Sequence, residues 1–236
     1  MEKMTEPFGQ LIFWEGKMAD ISARTEVMEN EKPDATGAES AKRLQILDGA
    51  QRAFLANGYE GTSMSLIARE AGVSKGTLYV YFSNKEALFA AVTEEQCQTQ
   101  GGTAFDALNE DGPASEILPA FGRHFVEFIL TDSACSLRRL ITAESAKFPE
   151  LGHTFYELGP KRMKAQLAAY LKRRVEAGEL DIPDTELAAA QFIILCKGEF
   201  DLLRQISVID SATPQRIGYT VDAAVRLFLD GYSAER

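Results

Sequence analysis

The stretch AGVSKGTLYVYFSNKEALF, residues 71–89, closes one helix at Gly72 and opens another at Ser74, only two residues on. So short a connection forces the two helices to cross steeply, as in a helix-turn-helix. The second helix, KGTLYVYF, has room for about two turns at 3.6 residues per turn. Leu78 and Phe82, four apart, make its buried face. Lys75, Thr77, Tyr79 and Tyr81 are left to its outer faces.

The flanking pieces complete a small bundle. Residues 41–57 carry Leu44, Leu47, Ala50 and Phe54 as a helical stripe, and Gly58 follows as a C-terminal cap. Thr62 or Ser63 can cap the next helix by accepting from its free N–H groups. In that helix Leu66, Ile67 and Ala71 are expected to face inward. After the short helix, Ser83 and Glu86 have the spacing of a capping box.

Charge singles out the same section. The chain of 236 residues carries a net charge of −10. Residues 1–39 hold nine acids against four bases and residues 91–236 hold 22 against 15, but residues 40–90 hold four acids against six bases. A basic island on an acidic chain suits an anionic partner. Gly76 weakens its helix, which makes sense where something bulky must approach the backbone. A phosphate chain fits, because a helix start offers N–H donors. Lys75 and Lys85 add cations, and Tyr79 and Tyr81 add rigid neutral donors.

With these residues in hand, positions 41–100 resemble the N-terminal domain of TetR/AcrR-type transcriptional regulators, and the pattern GVSKGTLYVYFSNKEALF is specific to it. The resemblance implies that the short helix enters the DNA major groove. It implies contacts from Thr62 and Ser63, from Ser74, Lys75, Gly76, Thr77, Tyr79 and Tyr81, and from Lys85 on the next helix. Val80, between the tyrosines, either touches a thymine methyl or packs.

The remainder is similar to the C-terminal domain of the AefR-like subgroup, which implies a homodimer through the last two helices and a small-molecule pocket. Phe121, Phe125, Phe128, Tyr156, Tyr170 and Phe192 are the candidates to line that pocket, with Lys197 and Glu199 as polar anchors. Each aromatic also reads as plain core, and Lys197 and Glu199 read equally as residues of the surface or the subunit interface. The expected partners are therefore a palindromic double-stranded DNA operator, a small-molecule effector and a second copy of the chain.

Apolar spacing of three and four residues, with no sustained period-2 alternation, predicts an all-α protein throughout. Helices are expected near 114–131, 135–147, 149–178, 185–207 and 214–232. Residues 187–196 have one polar member, Gln191, so this helix needs cover on two sides. The last helix carries Ile217, Val221, Val225 and Phe228 on one stripe. The domain organisation expected is a tail over 1–39, a three-helix DNA-binding domain over 40–100 and a larger regulatory and dimerisation domain over 101–236.

Cys97, Cys135 and Cys196 are odd in number and lack metal-ligand spacing, which predicts buried thiols in a reducing cytoplasm. No cofactor, metal or membrane span is expected, and FGQLIFW at 8–14 lacks the cleavage site of a signal peptide. An enzyme reading finds no nucleophile–base pair, metal cluster or phosphate loop. A helix-turn-helix that binds protein, and an activator of the same architecture, stay open as alternatives to a repressor.

Overall fold

A computed structural model describes residues 37–234 of the chain. The expected tail lies outside them except for its last three residues, which are helical. The described residues up to Arg43 and those from Leu44 onward fall in separate units. Among the described residues the regular structure is helical throughout, with an isolated bridge between Leu180 and Ser233. The order is α1 (Gly37–Asn57), α2 (Met64–Glu70), α3 (Lys75–Tyr81), α4 (Lys85–Asn109), α5 (Ala114–Leu130) and α6 (Asp132–Glu144). It continues with α7 (Pro149–Leu158), α8 (Pro160–Glu176), α9 (Thr185–Lys197), α10 (Phe200–Gln205) and α11 (Pro214–Tyr232). No described helix is long and apolar enough to cross a membrane.

Local chemistry sets these bounds. Ser63, Ser74, Asn84, Thr131, Asp184 and Thr213 each cap a helix by accepting from a backbone N–H of its first turn. Asn84 takes the place expected for Ser83, so the capping box does not form; both residue types make good caps, and the helix starts one residue later. The helix expected over 149–178 is two helices. Gly159–Pro160 breaks it, because proline disfavours a helical residue before it and serves well as a first helical residue. The span 185–207 also divides, at Gly198, whose φ of +49° lies in the left-handed region.

Apolar side chains collect in two cores. The first joins Ile46, Leu47, Phe54, Tyr59, Ile67, Leu78, Leu88 and Phe89 to Leu137, Leu140, Ile141 and Leu151. It is named the reading core for the role expected of α3, whose Leu78 lies in it. The buried stripe of α1 is Ile46, Leu47, Ala50, Ala53 and Phe54, while Leu44, expected inside, is exposed. The second, named the effector core for the pocket expected in it, joins Ala104, Ala107 and Leu108 of α4 to α5, α8, α9, Phe200 and α11. Packing therefore draws α6 and the start of α7 to the reading core, although they follow residue 101 in sequence. Helix α4 belongs to both cores, Leu88–Val92 to the first and Ala104–Leu108 to the second.

Candidate nucleic-acid interface

The turn before α3 is tightly specified. Gly72 takes a φ of +65° to end α2, and the Val73 N–H then donates to the Ala68 carbonyl oxygen at 2.9 Å. The carbonyls at the end of α2 are taken up by α1: Gln45 donates to Ala71 O at 2.6 Å and Arg52 to Glu70 O at 2.7 Å. A Cβ on Gly49 would lie 2.5 Å from the Ala71 Cα, so glycine is required where α1 crosses. Ser74 accepts from the Thr77 N–H at 3.0 Å, and the two hydroxyls lie 2.8 Å apart. Helix α3 is seated by Leu78, fully buried, and Phe82, nearly so.

This seating turns a specific set outward. Ser63, Ser74, Lys75, Gly76 and Tyr79 are exposed, Val80 is 82% exposed, and Thr77 and Tyr81 are half-buried, with Tyr81 packed against the core. A Cβ on Gly76 would meet only the Ser74 hydroxyl, at 3.7 Å, so no internal contact requires glycine there. Val80 does not pack, which removes one of its two readings.

Two expected contacts point elsewhere. Thr62 is 2% exposed; its hydroxyl donates to Gly58 O at 2.6 Å and lies 3.1 Å from Ala53 O, tying off the end of α1. Its side chain is internal, as a hydroxyl beside unsatisfied helix-end carbonyls will be. Lys85 is half-buried. Its Nζ donates to Tyr59 O at 2.8 Å and stands 4.2 Å from the centre of that ring. This cation is held inward, where a backbone carbonyl and an aromatic face both attract it.

Tyr59, which reasoning from sequence misses, is the hub of this arrangement. Its ring packs against Phe54, Phe89 and Phe148, with centroids 5.3–5.7 Å away. Its N–H donates to Glu144 Oε1 at 3.0 Å and its hydroxyl to Glu86 at 3.2 Å. Burial, and then the Glu86 carboxylate, push the phenol well above its ordinary range, so it stays a neutral donor. Lys147 pairs with Glu60 in the same turn. The available signal is NGYEG: an aromatic directly after a helix-ending glycine is placed to fold back on the helix.

The aromatics expected to border a pocket are only partly gathered. Phe121 stacks on Phe125 at 5.8 Å and lies 6.2 Å from Phe192, which meets Phe228 edge-on at 5.0 Å. Phe128 packs at the margin of this core, and Tyr170, fully buried, donates to Gly112 O at 2.9 Å. Tyr156 does not join them: it is exposed, on α7. Lys197 and Glu199 form ion pairs, Lys197 with Asp201 at 3.7 Å and Glu199 with Arg216, and so stand at the surface of this core.

The stripe Ile217, Val221, Val225 and Phe228 is covered within the protomer. The apolar groups left bare on these helices are Leu187 and Ile194 of α9 and Tyr219 and Leu227 of α11. Cys135 and Cys196 are buried, Cys97 is half-buried, and burial pushes the Cys196 thiol up to about 12.

Residues 46–92 match the family described as bacterial regulatory proteins, tetR family, and residues 116–234 match the AefR-like transcriptional repressor C-terminal domain. An uncharacterised HTH-type transcriptional regulator, YhgD of Bacillus subtilis, is 30% identical over 158 residues, covering 65% of this chain and 78% of that protein. Among solved structures, a TetR-family regulator from Mesorhizobium loti is 28% identical with a TM-score of 0.74, covering 84% of this chain and all of that one. The flavonoid-responsive regulator FrrA is 33% identical with a TM-score of 0.68 and the same coverage.

Proposed function

The chain belongs to the TetR family of bacterial transcriptional regulators, and from that premise we propose that it is a homodimeric repressor which a small molecule releases from a palindromic operator. The observation that carries this is the outward face of α3, where Ser74, Lys75, Gly76, Thr77, Tyr79 and Val80 lie free of the core behind them. Lys75 and Tyr79 suit phosphate oxygens, which position the protein, and Val80 and Thr77 suit base edges, which specify the sequence. Tyr81 and Ser63 flank this face. Thr62 and Lys85 act behind it, by holding the turn.

One such helix reads one half-site, so two related by a two-fold axis read a palindrome. The bare apolar groups of α9 and α11 support pairing of protomers along those helices, as a core cut in half would require. The clustered phenylalanines of α5 and α9 support an apolar or aromatic effector. Flavonoids, the class of compound to which FrrA responds, are the first to test.

Selection of bound DNA from a random pool tests the reading. It should return an inverted repeat, bound with a Kd within about 10⁻⁸–10⁻¹¹ M near physiological salt. Sequences without two-fold character, or a monomer in sedimentation at micromolar concentration, would overturn it. Added effector should shift operator binding by roughly 5- to 150-fold.

A further inference from the structure

We propose that the cleft between α1 and α4 is a second small-molecule site, which takes a compact organic cation: a protonated amine on a short apolar body. The cleft measures about 240 Å³. Leu44, Leu47 and Val92 form its apolar part, and Leu44, 45% exposed, offers a bare surface for a ligand to cover. Leu47 and Val92 belong to the reading core, and no lining residue belongs to the effector core. The site is therefore separate from the effector site proposed above, and it does not depend on what α3 reads.

The polar part of the lining is built to receive a donor. It holds the acids Asp48 and Glu95 and no base. Asp48 gives Oδ2 to Arg52, which also donates to Glu70 O of α2 at 2.7 Å. Asp48 Oδ1 has no partner among the described residues. Two amides join it. Gln51 donates through Nε2 to Ser133 Oγ at 2.7 Å, and Gln96 donates to the same atom. Ser133, at the start of α6, thus takes up both amide N–H groups. Both Oε1 atoms are left without a partner among the described residues. Gln96 is only 6% exposed, and an acceptor so deeply placed is costly to leave unpaired. Water satisfies an amide oxygen as well, but two carboxylates with no base in the lining give the preference to positive charge. An ammonium has three N–H donors and no acceptor, which matches two amide oxygens and a carboxylate.

Three probes of one shape test the charge: 3-phenylpropylamine, 3-phenylpropan-1-ol and 3-phenylpropanoate. Each is titrated calorimetrically into the full-length protein at neutral pH. The amine should bind about tenfold more tightly than the other two, which is the worth of a charge-assisted hydrogen bond. Its affinity should fall as salt is raised. The double variant Asp48→Asn, Glu95→Gln should bind the amine about tenfold more weakly and the alcohol as before. Thr99 is an exposed residue of the lining, and Thr99→Trp fills the cleft and should abolish binding of the amine. Thermal melting checks that both variants are folded. Undiminished binding of the amine by Thr99→Trp would place it elsewhere and overturn the site. Equal affinity for the three probes, or no binding of the amine at millimolar concentration, would overturn it too.

Discussion

The two cores are alike in material and unlike in how they are tied. Each is built around touching aromatic rings: Phe54, Tyr59, Phe89 and Phe148 in one, Phe121, Phe125, Phe192 and Phe228 in the other. In the reading core the central residue also makes three directional bonds, to Glu144, to Lys85 and to Glu86. In the effector core Phe121, Phe125, Phe192 and Phe228 have no polar atom to fix them, and the directional bonds are made beside them, by Tyr170 to Gly112 O at 2.9 Å and by Tyr232 to Gln191 Oε1 at 2.7 Å. Directional bonds in a dry setting select one arrangement, whereas apolar rings of suitable volume accept several. The part that must present Lys75 and Val80 at fixed positions is pinned. The part proposed to receive a ligand is pinned only beside its phenylalanine cluster.

Breaking the hub should have the largest effect. Tyr59→Ala is expected to destabilise the protein by about 3–5 kcal/mol and to abolish operator binding. Phe192→Ala should cost a similar ~3–5 kcal/mol in denaturant unfolding but leave operator binding intact once folded. If both variants bind operator equally well, the contrast between the cores is wrong.

A subtler break removes only the bond from α6. Glu144→Ala leaves the Tyr59 N–H buried without its acceptor, at a cost of about 1–3 kcal/mol. Glu144→Gln keeps an acceptor oxygen and should recover most of that. Urea titration of the pair against the parent decides whether α6 belongs energetically to the reading core.

The smallest effect separates the two lysines. Lys75→Ala should lower the slope of log affinity against log salt by about 0.9, the signature of one lost phosphate contact. Lys85→Ala should leave the slope nearly unchanged and lower stability by about 1 kcal/mol through its lost bond to Tyr59. A reduced slope for Lys85→Ala would return that residue to the DNA-facing set.

Much of the interface is legible in the sequence because local rules govern it. The Gly72–Ser74 turn, the Ser74 cap and the seating of α3 on Leu78 and Phe82 all follow from spacing alone. What is not legible needs either the phase of a stripe or a distant partner. In α1 the apolar arc can be drawn through Leu44 or through Ile46, and only the packing of α2 decides. Thr62 is a polar residue in a loop, and nothing nearby in sequence says that two carbonyls wait beneath it. Lys85 reads as a free cation because the Tyr59 carbonyl lies 26 residues away. The break at Gly159–Pro160 is visible, and the long apolar periodicity on either side hides it.

The clasp of Glu144, Lys147 and Phe148 on the Gly58–Glu60 turn bears on modularity. A fragment cut near residue 100 would retain every side chain proposed to touch DNA. It would also lose Leu137, Leu140, Ile141 and Leu151 from the reading core and Phe148 from the Tyr59 ring, leaving apolar surface open to aggregation. Transplanting this protein's DNA specificity to another scaffold therefore calls for a discontinuous graft, α1–α4 together with the segment 132–158.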